Sequence, residues 1–250
     1  MRIGTAQWKE GPAERRALVA QLPGTGRVVD LNRVEHLRLA KLGEGRPEAL
    51  AAELVPPAIR RLLEGGPRAL HRARQALAYA RKWEGRSGLP LELAPREEGV
   101  TLLPCLPDPA AIRRWDGARL DPAAPGGPGS VLGHPPAPTI AWIGLHGGAT
   151  AGRCLAVDDA RGPVLGAWLD LEAAWEGFLV LEAGGRRRRV PLDTWRELAP
   201  AEPMAAEVIL APTPHFPFAS LEPGAEVAIL APGERLELRL DENPVHPRVQ

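Results

Sequence analysis

The sequence is poor in lysine, in cysteine and in single-ring aromatics. Its 31 basic residues include only Lys9, Lys41 and Lys82 as lysines, and none follows residue 82. The greater part of the chain therefore offers no amine for charge-stabilising chemistry. Two cysteines, Cys105 and Cys154, are too few for a disulfide scaffold, and no CxxC pair points to zinc. Thirty-one basic residues balance 31 acidic ones. Zero net charge excludes a general electrostatic attraction to nucleic acid or an anionic membrane. The start, "MRIGTAQWKEG", lacks the apolar core of a signal peptide. No run approaches the roughly 20 apolar residues of a membrane span. A soluble, cytoplasmic protein with no nucleic-acid or membrane partner is the expectation.

What is present is ordinary globular material: 250 residues, 44% of them hydrophobic, enough for one large domain or two modest ones. The first thirty residues read as strands, with "RALVAQL" and "RVVDL" joined by Pro23-Gly24-Thr25-Gly26 as a hairpin. Asn32 can then cap a helix carrying Val34 and Leu37. "PEALAAELV" and "AIRRLLEGG" read as short helices. Gly65-Gly66 ends one helix, and Pro67 opens the next. Leu70, Ala73, Leu77, Ala80 and Trp83 supply its apolar face, opposite a solvated face of Arg68, Arg72, Arg74 and Arg81. A Pro/Gly-rich connection at 122–138 precedes a β-rich stretch. There "TIAWIGL", "CLAV", "AEVILAP" and "AEVAILAP" are apolar runs, while "GFLVLEA" and "RRRRVPL" flank a Gly184-Gly185 hairpin signal. The patterning divides the chain into a small domain at 1–98, hairpin plus short helices, and a β-rich domain at 99–250. The fold class is α+β, mainly β.

Two regions resemble the fumarylacetoacetate hydrolase family. "VVDLNRVEHLRLAKLGEGRPEALAAELVPPAIRRLLEGGPRALHRARQALAYARKW" looks like the amino-terminal domain that many of these proteins carry. "GPVLGAWLDLEAAWEGFLVLEAGGRRRR" is similar to the family's GP turn and the segment after it. "AEVILAPTPHFPFASLEPGAEVAILAPGERLELRLDENPV" looks like the family's "DVILTGTPAGVG…LKPGDVVEVEIEGIGRLRNPV". The order and spacing cover most of the chain. The resemblance implies a fumarylacetoacetase-like mixed β-roll, usually dimeric, behind a small amino-terminal α+β domain. It also implies hydrolysis, decarboxylation or isomerisation of oxo-acids at magnesium, manganese or calcium, with the metal stabilising enolate charge.

The same resemblance shows what is missing. A hard cation needs oxygen ligands, mainly carboxylates. The family's E-x-E pair, two carboxylates on one strand face, matches "PTIAWIGLHGG", where Thr139 and Ala141 stand at the glutamate positions. Its later metal-binding aspartate matches Asp158 of "GRCLAVDDARG", a vestigial ligand. Asp158-Asp159 reads equally well as a strand-end turn. The family's lysine segment is deleted, and Arg161 precedes Gly162-Pro163 almost directly. Arg161 is a substrate-binding candidate, as is Thr213, which keeps part of a family GTP motif. No histidine matches the catalytic one; Asp116 and Asp121 align poorly, and His134, His146 and His215 read as solvated. No catalytic residue is assigned. The leading expectation is a binding or partner subunit with a degraded site and no cofactor, as a homodimer or paired with an active relative, retaining a small oxo-acid ligand at most. The alternative is an active oxo-acid hydrolase, decarboxylase or isomerase with a rebuilt site and magnesium or manganese.

Overall fold

A computed structural model describes residues 1–84, 93–115, 120–122, 137–158, 164–171, 178–183, 186–193, 203–211, 226–231 and 234–239. Strands β1 (Arg2–Glu10), β2 (Ala13–Leu22) and β3 (Arg27–Asp30) lead into helices α1 (Leu31–Lys41), α2 (Pro47–Leu54), α3 (Ile59–Glu64) and α4 (Gly66–Glu84). Strands β4 (Thr101–Leu103), β5 (Ala111–Trp115), β6 (Leu120–Pro122), β7 (Ala137–Leu145), β8 (Ala149–Asp158), β9 (Val164–Leu165) and β10 (Trp168–Leu171) follow. The last five are β11 (Phe178–Ala183), β12 (Arg186–Pro191), β13 (Glu207–Leu210), β14 (Glu226–Ala231) and β15 (Glu234–Arg239). The protein is thus mainly β with a few helices, as the apolar runs predict.

The expected hairpins form. β2 pairs antiparallel with β3, and β11 with β12, so "RRRR" is a strand as read; Gly184-Gly185 lie outside the described residues. The helix cap differs from expectation. Asp30, not Asn32, caps α1: its Oδ1 accepts from the Arg33 N–H at 3.0 Å. Strand β3 runs on to Asp30, so the helix starts before Asn32 can act. The Asn32 amide instead donates to the Val55 carbonyl at 2.8 Å, tying α1 to the end of α2. In α4 the apolar face is as predicted: Leu70, Ala73, Leu77 and Ala80 are buried, Trp83 packs partly buried, and Arg68 and Arg81 are exposed. Among the described residues no helix is long and apolar enough to cross a membrane.

Among the described residues eleven strands share one sheet, in the order β3-β2-β1-β10-β8-β7-β13-β5-β6, with β4 on β1 and β9 on β8. Within them only the pairing of β13 with β5 is parallel. Strands from both halves of the chain are neighbours here, because β1 pairs with β10. A second sheet orders β12-β11-β14-β15. Alternation sends Ile3, Leu18, Ala20, Leu22, Leu169 and Leu171 to one face of the large sheet, where they join Leu62, Leu63, Leu70 and Leu77 of the helices in one apolar core. At the crossing of β8 and β10 the backbones approach so closely that a Cβ on Gly152 would fall on the Asp170 carbonyl. Glycine is needed there for space. Between β7 and β8 the turn needs it for conformation, since Gly147 and Gly148 have φ of +98° and +82°.

Candidate functional site

Three of the positions singled out from the sequence, Thr139, Ala141 and Asp158, lie on β7 and β8. These strands pair antiparallel, with Ala137 opposite Asp158, Thr139 opposite Ala156 and Ala141 opposite Cys154. Positions 137, 139, 141, 154, 156 and 158 therefore alternate onto the same sheet face. On the far side of β7, Leu210 of β13 lies opposite Ala141. The family-like spacing is thus realised in the backbone: the two glutamate positions and the aspartate position belong to one face of one hairpin.

Between its ends that face is apolar. Ala141, Ile143, Cys154, Ala156, Val208 and Leu210 are members of the same core as the helices. Thr139 and Ala141 are fully buried. The Thr139 hydroxyl donates to the Ala211 carbonyl at 2.9 Å, so its one proton is already engaged. The Ala211 N–H returns to the Ile140 carbonyl at 2.8 Å, and the chain thus leaves β13 alongside Thr139. Tested against a hard divalent cation, the pair does not fit: Ala141 has no donor atom, and the Thr139 oxygen is neutral and turned to a backbone partner. Among the described residues no three His, Cys, Asp or Glu side chains converge to hold a metal. Asp159, Arg161, Thr213, Asp116, His134 and His215 lie outside the described residues. Asp158 ends β8, and Asp121 sits in β6 opposite Arg114. His146 is exposed in the β7–β8 turn, where its backbone N–H donates to the Leu63 carbonyl at 3.1 Å. It contributes a turn docked on α3, in keeping with the solvated reading.

The two cysteines, remote in sequence, meet in this core. The Cys105 N–H donates to the Gly166 carbonyl, and the Gly166 N–H donates to the Leu155 carbonyl, each at 2.8 Å. That relay brings Cys105 beside Cys154. The Cys154 thiol is pushed well above its ordinary value by a hydrogen bond with Cys105 and by burial. Both are free thiols. A neutral, buried thiol is a small core hydrophobe and a poor nucleophile.

The opposite face of the sheet carries charges that sequence reading missed. Glu207 is fully buried and takes both Arg113 Nε and Arg113 Nη2, the latter at 2.6 Å, plus the Met204 N–H at 2.8 Å. The hydrogen-bonded carboxylate raises the Arg113 pKa further above its ordinary value. In the same sheet Asp170 stands in register with Arg2 on one side and Arg153 on the other, and both Asp170 and Arg153 are buried. The only sequence signal was an acidic residue heading an apolar run, "EVIL". The partner is 94 positions away and could not be read.

No family model matches the chain. No curated protein matches it in sequence either. In solved structures it is similar to a 2-hydroxyhepta-2,4-diene-1,7-dioate isomerase from Mycobacterium marinum, at 13% identity and a TM-score of 0.45, over 96% of this chain and 98% of that one. It is similar to an uncharacterized protein from Mycobacterium abscessus at 13% identity and a TM-score of 0.48, over 97% and 100% of the two chains. A 2-keto-3-deoxy-D-arabinonate dehydratase, complexed with magnesium and 2,5-dioxopentanoate, is similar at 11% identity and a TM-score of 0.46, over 96% and 99%.

Proposed function

We propose that this chain is a divergent fumarylacetoacetate hydrolase-family protein whose metal-dependent site has been converted into packed core, and that it acts as a binding or partner subunit. The observation that carries the reading is the burial of Thr139 and Ala141 within the apolar face shared by β7, β8 and β13. Magnesium or manganese at that place would need carboxylates where the chain has a hydroxyl bonded to Ala211 and a methyl group. Without the metal, and without a lysine beyond residue 82, enolate charge from an oxo-acid has no stabiliser of the family's kind. The proposed assembly is a homodimer, or a heterodimer with an active relative.

Thermal unfolding with magnesium, with manganese and with chelator tests this. A ligand bound only by the native state adds about 2.7 kcal/mol at roughly a hundred times its dissociation constant. About 1 kcal/mol moves the midpoint of a chain this size by roughly 2–4 °C. Coincident curves are expected, together with no turnover of acylpyruvates or oxaloacetate above background. A metal-dependent rise abolished by Asp158→Asn would overturn the proposal in favour of a rebuilt catalytic site. Sedimentation at micromolar concentration tests the assembly, and a lone monomer counts against the homodimer.

A further inference from the structure

A second place in the fold is built like a binding site, and it is independent of the β7–β8 hairpin. A cavity of about 310 Å³ opens between the β1–β2 ribbon, the entry to α3 and the segment after Cys105. Its walls are held by backbone bonds. β2 extends beyond its pairing with β3, which ends at Val19 opposite Asp30. The next N–H, of Leu18, is therefore free of the ladder and donates to the Pro57 carbonyl at 2.8 Å, pinning the α3 entry against the ribbon. The other wall is pinned by the Cys105 N–H on the Gly166 carbonyl at 2.8 Å. Ile59 and Leu106, almost fully buried, give the cavity an apolar side.

Its polar groups are placed for a ligand. Thr5 lines the cavity from β1 and is 5% exposed. Arg16 and Arg60 stand at the rim with half-exposed side chains. Arg16 meets Asp108 only at 3.7 Å. Arg60 gives its Nε to Glu64 at 3.0 Å, and Arg61 shares the same carboxylate at 3.1 Å. Among the lining residues two guanidiniums, Arg16 and Arg60, stand against one carboxylate, Asp108, which leaves one positive charge. Arginine has five donors, so both rim arginines retain several after these contacts.

We propose that this cavity binds a small organic monoanion, a carboxylate with a short apolar body. The carboxylate takes hydrogen bonds from Arg16 and Arg60 at the rim and from the Thr5 hydroxyl on the floor, and the body lies against Ile59 and Leu106. A volume at the low end of the range for ligand pockets suits a small organic ligand. The single excess charge matches a monoanion better than a dianion.

Butyrate is the probe, followed by NMR titration of the intact chain, with 1-butanol, butylammonium and inorganic phosphate as comparisons. Saturable butyrate binding at roughly millimolar affinity is expected, which is within the ceiling for a six-heavy-atom ligand. Arg60→Gln and Arg16→Gln should each weaken it at least about threefold, the lower range for a charge-assisted hydrogen bond at a partly exposed rim. Thr5→Val is the discriminating variant. It keeps the shape and removes only the hydroxyl, so its melting midpoint should hold while butyrate binding weakens at least about threefold. No saturable binding of butyrate overturns the proposal. So does butanol binding as tightly as butyrate, or butyrate affinity unchanged in both Thr5→Val and Arg60→Gln. Phosphate competing with equal affinity also overturns it, because it reduces the site to loose arginines at a surface.

Discussion

Ala141→Glu restores one carboxylate of the family-like pair and puts the buried-core reading at risk. Ala141 is fully buried, faces Cys154 and Leu210 across its two neighbouring strands, and shares its strand face with Thr139 and Ile143. Adding a carboxymethyl group to a filled core costs about 1–3 kcal/mol by overpacking. The charge adds more. A buried glutamate escapes ionisation by keeping its proton, while the unfolded chain releases it near about pH 4.3. One pH unit between the two states is worth about 1.36 kcal/mol, so holding the proton to pH 7 costs at most about 3.7 kcal/mol. The total, about 5–7 kcal/mol, is a large part of the 5–15 kcal/mol typical of a whole domain. Ala141→Gln carries the size without the charge. Because the folded pKa would be raised, the Glu–Gln difference is absent below the unfolded value and grows as pH rises above it. Urea unfolding of both variants from about pH 4 to about pH 7.5 should show a gap that opens with pH to several kcal/mol. Equal stability at neutral pH would refute the reasoning. So would an Ala141→Glu protein that gained several degrees on adding magnesium, since the face would then be open to an ion.

Three further outcomes follow from the geometry. Glu207→Gln should lose about 2–3 kcal/mol in urea unfolding at neutral pH, because it leaves Arg113 or the Met204 N–H facing an amide donor, discounted for the partial exposure of Arg113. Gly152→Ala should lose about 1–3 kcal/mol and lower the melting midpoint by roughly 3–10 °C, because its Cβ meets fixed backbone at Asp170 and Leu171. The Glu10 carboxylate is held below its ordinary value by hydrogen bonds from Arg33, so its contribution is complete above the unfolded pKa and is lost as pH falls through the folded one. Glu10→Gln should therefore be less stable than the parent near about pH 6 and indistinguishable near about pH 3, with the gap shrinking in high salt.

Local signals carried the elements. The strand segments "RALVAQL" and "TIAWIGL", helical spacing from Leu70 to Trp83, and the turn at Pro23–Gly26 depend on residues a few positions apart, and each formed as read. The cap was misread for a reason equally local: Asp30 and Asn32 are both good caps, and the pairing of β3 through Asp30 decided between them. The absence of carboxylates at 139 and 141 was also legible without a structure, because it is a matter of residue identity. What lay beyond the sequence was everything set by distant partners. The pairing of β1 with β10, which joins the ends of a 170-residue separation, is decided by the closure of one sheet. The same closure turns the Thr139–Ala141 face inward onto the helices, seats Cys105 beside Cys154 and gives Glu207 its arginine. Those outcomes rest on excluding water from a shared core and pairing the polar groups drawn into it. Both are properties of the assembled sheet, so no window of the chain contains them.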